Sequence, residues 1–151
     1  MNPIERLAAA AGEWTGRNIL QDPHSGLPDE TAATAAIVPI IGGRFVRIDY
    51  TWSYRGQPQS GCLILGHDGV AATGCWMDSW HMGRVAMLCR GEPGPEDRLS
   101  LFGTYPAPPD PDWGWRTSIY ADEAKFGFMM DNVDPAGNAS LAVTAEFERA
   151  G

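Results

Sequence analysis

Residues 43–54 read GRFVRIDYTWSY. The even positions Val46, Ile48, Tyr50, Trp52 and Tyr54 are apolar or aromatic, while Arg47, Asp49, Thr51 and Ser53 stand at odd positions. Side chains of an extended chain alternate between two faces, so this segment reads as a strand with one buried and one wet face. The same alternation recurs near the C-terminus, where Leu141, Val143, Ala145 and Phe147 interleave with Ala142, Thr144, Glu146 and Glu148. A helix would bring its apolar residues round every three to four positions. Beyond Gly12 no stretch of helical length does so.

Weaker runs of the same kind lie at 12–21, 30–40, 58–67, 70–80, 85–91, 97–105, 113–122 and 125–133. Turn formers separate most of them: Asp22-Pro23-His24-Ser25-Gly26, Arg55-Gly56-Gln57-Pro58, His67-Asp68-Gly69, Glu92-Pro93-Gly94-Pro95 and Pro135-Ala136-Gly137. The pattern predicts an all-β chain of about ten antiparallel strands joined by short hairpins. No internal repeat points to a propeller or solenoid. A single sheet of ten twisted strands would expose two unpaired edges, which closure into a barrel or division into a sandwich avoids.

Only the N-terminus reads as helix. Asn2 suits the cap, Pro3 the first turn and Glu5 the capping-box acid. Ile4, Leu7, Ala8 and Ala11 then share one face and Gly12 ends the run, giving a helix over about 3–11 that is too short to stand alone. The Pro-rich stretch PAPPDPD (106–112) reads as a stiff loop at one end of the barrel, because neither flank is large enough for a domain.

The 151 residues are most simply one domain, 1–151, large enough to bury a core without staples. The net charge of -8, with Lys125 the single lysine, leaves no basic stripe for nucleic acid and sets the chain against anionic membranes. Cys62, Cys75 and Cys89, spaced 13 and 14 apart, fit neither a disulfide framework nor a zinc knuckle and read as reduced thiols of a cytoplasmic protein. The N-terminal residues MNPIERLAAAAGEW lack the form of a signal peptide, and no segment approaches the ~20 apolar residues of a membrane span.

Gly12-Glu13-Trp14-Thr15-Gly16, after a short helix and opening the first strand, resembles the G-x-W-x-G entry of calycin-type barrels. With GGRFVRIDY (42–50), GCLILGHD (61–68), DSWH (78–81) and GWRTSIY (114–120), the chain resembles the uncharacterised DUF1579 group within that lipocalin-like set. The resemblance implies a small closed β-barrel with the helix near one end, and no assigned activity. Nitrobindin-like haem proteins share the G-x-W-x-G start, but hold iron through a histidine near the C-terminus. Here His24, His67 and His81 are the only histidines, and 82–151 has none, which argues against haem. No cofactor is expected.

The chemical motifs of common enzymes are missing. On one extended strand Cys75 and His81 would lie ~20 Å apart, too far to share an ion, so no metal site is expected. There is no G-x-S-x-G elbow or Walker sequence. On a continuous strand Ser79 and His81 would share a face and Asp78 would point away, which opposes a local triad.

The stretch GCWMDSWHMG (74–83) carries what signal remains. If apolar positions face inward, the interior receives Trp14, Tyr50, Trp52, Trp76, Trp80, Trp115, Phe128 and Met130, and Asp78 shares the face of Trp76 and Trp80. Rigid aromatic walls with a few placed polar groups describe a small-molecule site. Asp78 then has three readings: a polar anchor in a pocket, a core carboxylate paired with Arg44 or Arg116, or a residue on an outward face. Desolvated without full compensation, its carboxyl would become a weaker acid. The leading expectation is a binding protein for a small apolar or aromatic molecule. The alternatives are an enzyme using Asp78 as acid or base, with Arg44 or Arg116 holding an anion, and a non-catalytic homodimer built on the aromatic face.

Overall fold

The computed structural model describes residues 2–95 and 97–151. One helix, α1 (Pro3–Ala9), precedes ten strands: β1 (Gly12–Gln21), β2 (Pro28–Ile40), β3 (Phe45–Tyr54), β4 (Gln57–His67), β5 (Ala72–Asp78), β6 (Met87–Glu92), β7 (Leu99–Ala107), β8 (Asp110–Ala121), β9 (Lys125–Val133) and β10 (Ala139–Arg149). Every sequential pair is antiparallel, and β1 also pairs with β10, so the sheet closes into a barrel. The expected all-β fold, a closed antiparallel barrel of about ten strands behind a short N-terminal helix, is the fold that forms.

Alternation places the inward row of each strand as the sequence implies. Val46, Ile48, Tyr50 and Trp52 of β3 are buried, as are Val143, Ala145 and Phe147 of β10. The turn between β3 and β4 is made by Arg55 and Gly56, both at positive φ (49° and 78°), the conformation that suits a two-residue hairpin.

One end of the barrel is sealed. The Asn2 side chain accepts hydrogen bonds from the Ile4 and Glu5 amides and the Glu5 carboxylate accepts one from the Asn2 amide, completing the capping box. Helix α1 lies against β2, β3 and β4 on one side and beside Leu99, Ile119 and Ala121 on the other, with Ile4 and Leu7 buried. It stops at Ala9, short of the expected 11, because the Ala10 and Ala11 amides bond three residues back to Leu7 and Ala8 and tighten the last turn. The Gly-Glu-Trp-Thr-Gly stretch completes this end. Trp14 Nε1 donates to the Ala10 carbonyl at 3.0 Å, the Arg149 guanidinium lies 4.4 Å from the Trp14 ring centre, and Arg149 Nη1 donates to the Ala11 carbonyl. At Gly16 a Cβ would stand 1.8 Å from the Glu146 carbonyl oxygen on β10, so only glycine lets these two strands meet.

Two boundaries depart from expectation. The Pro-rich 106–112 stretch is mostly strand: β7 runs to Ala107 and β8 begins at Asp110, joined through a cis Pro108–Pro109 bond. The strand expected over 70–80 ends at Asp78, and residues 79–84 form turns.

Gly16→Ala should lower stability by about 1–3 kcal/mol in urea unfolding, because a methyl forces the β1–β10 seam apart. Gly94→Ala, with its nearest neighbouring atom 3.8 Å away, should stay within about 0.5 kcal/mol of the parent. Equal effects at both positions would refute the seam argument.

Candidate functional site

The opposite end of the barrel carries the loops 22–27, 55–56, 79–86, 108–109 and 134–138. Asp78 ends β5 there and is 3% exposed. Its Oδ2 accepts from Tyr50 Oη at 2.7 Å and Trp52 Nε1 at 3.2 Å. Its Oδ1 accepts from the backbone amides of Trp80 (2.8 Å) and His81 (2.9 Å). Tyr50 Oη in turn accepts from Trp76 Nε1 at 2.9 Å. The carboxylate thus joins β3 to β5 and caps the turn that follows it, a turn closed by Met82 N–H donating to the Asp78 carbonyl at 2.9 Å. Burial and the adjacent carboxylate push the Tyr50 phenol well above its usual value, so it stays protonated and donates.

This turn overturns the strand reading of 78–81. Ser79 faces outward, where its hydroxyl donates to Gln59 Oε1 at 2.7 Å. His81 swings in among four tryptophans, its ring centre 5.7 Å from Trp52, 5.7 Å from Trp76, 4.7 Å from Trp80 and 5.1 Å from Trp115. Trp76 and Trp115 stack at 5.0 Å with planes 10° apart, and Trp80 also meets Trp52, Tyr54 and His24. Burial in this cage holds the imidazole below its usual 6.5, against the opposing pull of Asp78. At neutral pH the histidine is uncharged.

Of the residues singled out in the sequence, Tyr50, Trp52, Trp76, Asp78, Trp80 and Trp115 meet at this mouth. Phe128 packs on Tyr50 at 5.1 Å, deeper in the barrel, and Met130 pairs with Thr117 across β8 and β9. Trp14 belongs to the sealed end. The two arginines are corrected. Arg44 is exposed in the turn before β3, so the parity of that strand never reaches it. Arg116 points outward, forms an ion pair with Glu92 at 3.0 Å and lies over Phe102. Asp78 is therefore a core carboxylate held by neutral donors, and neither Arg44 nor Arg116 stands beside it.

Among the described residues no group of three or more His, Cys, Asp or Glu is placed to hold a metal ion. The three cysteines are free, and burial pushes the Cys62 and Cys89 thiols to about 11, away from nucleophilic character. No helix among the described residues is long and apolar enough to cross a membrane. A groove of about 750 Å³ runs over β1–β5, lined by the outward Thr34, Asp49, Thr51, Ser60, Cys62 and Met77 and touching Trp14, Tyr50 and Asp78 as well.

Sequence reasoning passed over four residues that matter inside the barrel: His81, Trp113, and the buried polar pair Asn18 (3% exposed) and Thr117 (1%). Asn18 and Thr117 were detectable, since Asn18 shares parity with Trp14 and Leu20, and Thr117 with Trp115 and Ile119. His81 was not, because its position depends on the turn at 79–83.

The molecule is thus a closed ten-stranded β-barrel, sealed by a helix at one end and ringed with indoles at the other. The chain belongs to the DUF1579 family, described as a protein of unknown function, which matches over residues 2–149. It is similar in fold to the crystal structure of Rv2717c from M. tuberculosis, at 14% identity and a TM-score of 0.69, with 100% of this chain and 99% of that one covered. No curated protein matches it.

Asp78→Asn places an amide donor against donors, and should cost roughly 2–4 kcal/mol in urea unfolding. Tyr50→Phe, which leaves three of the four bonds, should cost less. If Asp78→Asn unfolds at the parent's midpoint, the carboxylate does not organise this end.

The pH dependence has a defined sign. Because folding depresses the His81 pKa, the unfolded chain binds more protons below about 6.5, and stability present above that pH is lost as pH falls. The carboxylates held low in surface turns, Asp68, Asp122 and Asp134, contribute only further down, as pH falls below about 3.8. Unfolding midpoints measured between pH 7.5 and 5 should decline for the parent and stay flatter for His81→Phe. A parent midpoint that rises on acidification would contradict this.

Proposed function

We propose that the barrel binds a small, mostly apolar or aromatic molecule through its unsealed end. One observation carries the reading: Trp52, Trp76, Trp80 and Trp115 surround an uncharged imidazole at the end opposite the helix. Flat, rigid aromatic walls bury large area at small entropic cost and favour ring-bearing or lipid-like ligands. The inward-facing rows, not the outer groove, supply these walls. Three free thiols and a net charge of -8 suit a reducing, cytoplasmic setting.

The catalytic alternative rests on Asp78 as acid or base, and both oxygens of that carboxylate are committed to Tyr50, Trp52 and two amides. Its role is to position the mouth. The homodimer alternative looks for Trp76 and Trp80 buried between two chains; Trp76 is already 0% exposed within one, and Trp80 is partly exposed.

Tryptophan emission reports directly on this reading, since four of the six indoles line the mouth. Titration with a library of neutral aromatic and lipid compounds should shift the emission for at least one class, and Trp80→Ala should weaken that binding several-fold or more. Native mass spectrometry of freshly purified protein should show a retained small molecule. Bare chain throughout, with no emission change for any compound, would end the proposal.

A further inference from the structure

Four buried side-chain polar atoms among the described residues have no hydrogen-bond partner: Trp113 Nε1, Trp115 Nε1, Thr117 Oγ1 and Asn18 Nδ2. Three of these belong to one strand. Trp113, Trp115 and Thr117 occupy alternate positions of β8 and so share its inward face, at ~6.6 Å intervals. They run from the mouth, where Trp115 touches His81, down to Thr117, which pairs with Leu101 on β7 and Met130 on β9. Asn18 faces the same interior from β1, which β9 and β10 separate from β8.

An indole N–H can only donate, and a threonine hydroxyl can do so. Orphaned buried donors are rare and costly, and three in succession on one inward row form a line waiting for acceptors. The interior also lacks a counter-charge. Among the described residues no arginine or lysine is buried, and the buried carboxylates are Asp22 and Asp78. A carboxylate, sulfonate or phosphate entering here would be unpaired and would approach Asp78.

We propose that this inward row of β8 is the polar anchor of the binding site, and that it selects an uncharged ligand whose carbonyl or ether oxygen accepts from Trp115 Nε1 and Thr117 Oγ1. This rests on the binding reading above and specifies its ligand class: a neutral ketone, ester, amide or ether with an apolar or aromatic body. Carboxylate-bearing lipids are rejected, because nothing inside pairs with their charge.

Three probes of similar shape separate the outcomes: acetophenone, isopropylbenzene and benzoate, titrated into the full chain by calorimetry. Proton–nitrogen spectra of the indole N–H groups are recorded alongside, with Trp113→Phe and Trp115→Phe assigning their signals. Acetophenone should bind roughly tenfold more tightly than isopropylbenzene, benzoate weakest, and the Trp115 N–H signal should move downfield with acetophenone alone. Thr117→Val keeps the shape and removes the hydroxyl. It should cost acetophenone roughly threefold to tenfold and isopropylbenzene nothing, while the free protein melts no lower than the parent. Equal affinities for acetophenone and isopropylbenzene, an acetophenone advantage that survives both Thr117→Val and Trp115→Phe, or tightest binding of benzoate would each overturn the anchor and leave a binding barrel of another specificity. If none of the three binds while other library compounds do, the neutral-acceptor class is wrong. If nothing in the library binds, the binding reading falls and the anchor with it.

Discussion

The seam where β1 pairs with β10 gives the sheet an inside, and the burial of Trp76, Asp78 and Thr117 depends on it. Without that pairing the rows that alternate along each strand would have one covered face and one open face, and the first and last strands would present bare edges. Closure turns alternation into a distinction between interior and solvent. The seam is tight enough at Gly16 to exclude a methyl group. The residues around it seal the adjoining end: Trp14 bonds back to the helix terminus and Arg149 clamps the same carbonyl layer from the last strand. First and last strands thus fasten both the wall and the floor.

At the far end one carboxylate organises the loop that carries Trp80 and His81. Removing a charge from water costs several kcal/mol unless its lone pairs are met, and Asp78 receives four donors. Two are backbone amides of the following turn, so the loop cannot unwind without exposing the charge. The other two are a phenol and an indole, both neutral. Use of neutral donors is consequential, because an arginine partner would place a cation in the barrel and make it receptive to anions. Among the described residues this end instead has two buried carboxylates, Asp22 and Asp78, each met by hydrogen bonds, and an imidazole kept neutral by burial.

Much of the barrel could be read from the residues because its rule is local. Alternation at Val46, Ile48, Tyr50 and Trp52 needs only a chain extended over a few positions, and Arg55-Gly56 or His67-Asp68-Gly69 mark turns through their own conformational preferences. The rule fails where the chain stops being extended. Parity assigned Arg44 to the interior because the strand was carried two residues too far, into a turn where Ile41, Gly42 and Gly43 adopt positive φ. Parity also sent His81 away from the indoles, since nothing in DSWH itself reveals that Asp78 will bend the backbone over its own carboxylate. Arg116 was misplaced for a different reason: alternation groups residues by face without saying which face is inside, and Glu92 on a distant segment draws it outward. The 106–112 stretch shows composition misleading in the other direction, as prolines at strand ends need no ladder donor and leave the hairpin intact.

The interior departs from the packing rules at the inward row of β8. Asn18 Nδ2 on β1 is unpartnered as well, whereas the buried carboxylates are met: Asp22 accepts from Tyr54 and from the His24 amide, and Asp78 is saturated. At Thr117 the same space could be filled by valine without an orphaned hydrogen, and each orphan costs on the order of 1–3 kcal/mol. Such losses concentrate where a surface is shaped for something other than the chain itself. The aromatic cage alone would favour any flat apolar molecule. On the proposed binding reading, fixed donors behind it narrow the choice to molecules that bring an uncharged acceptor, because only they meet the unpartnered donors of this row. On that reading, stability given up along one strand is the physical basis for discrimination at the mouth.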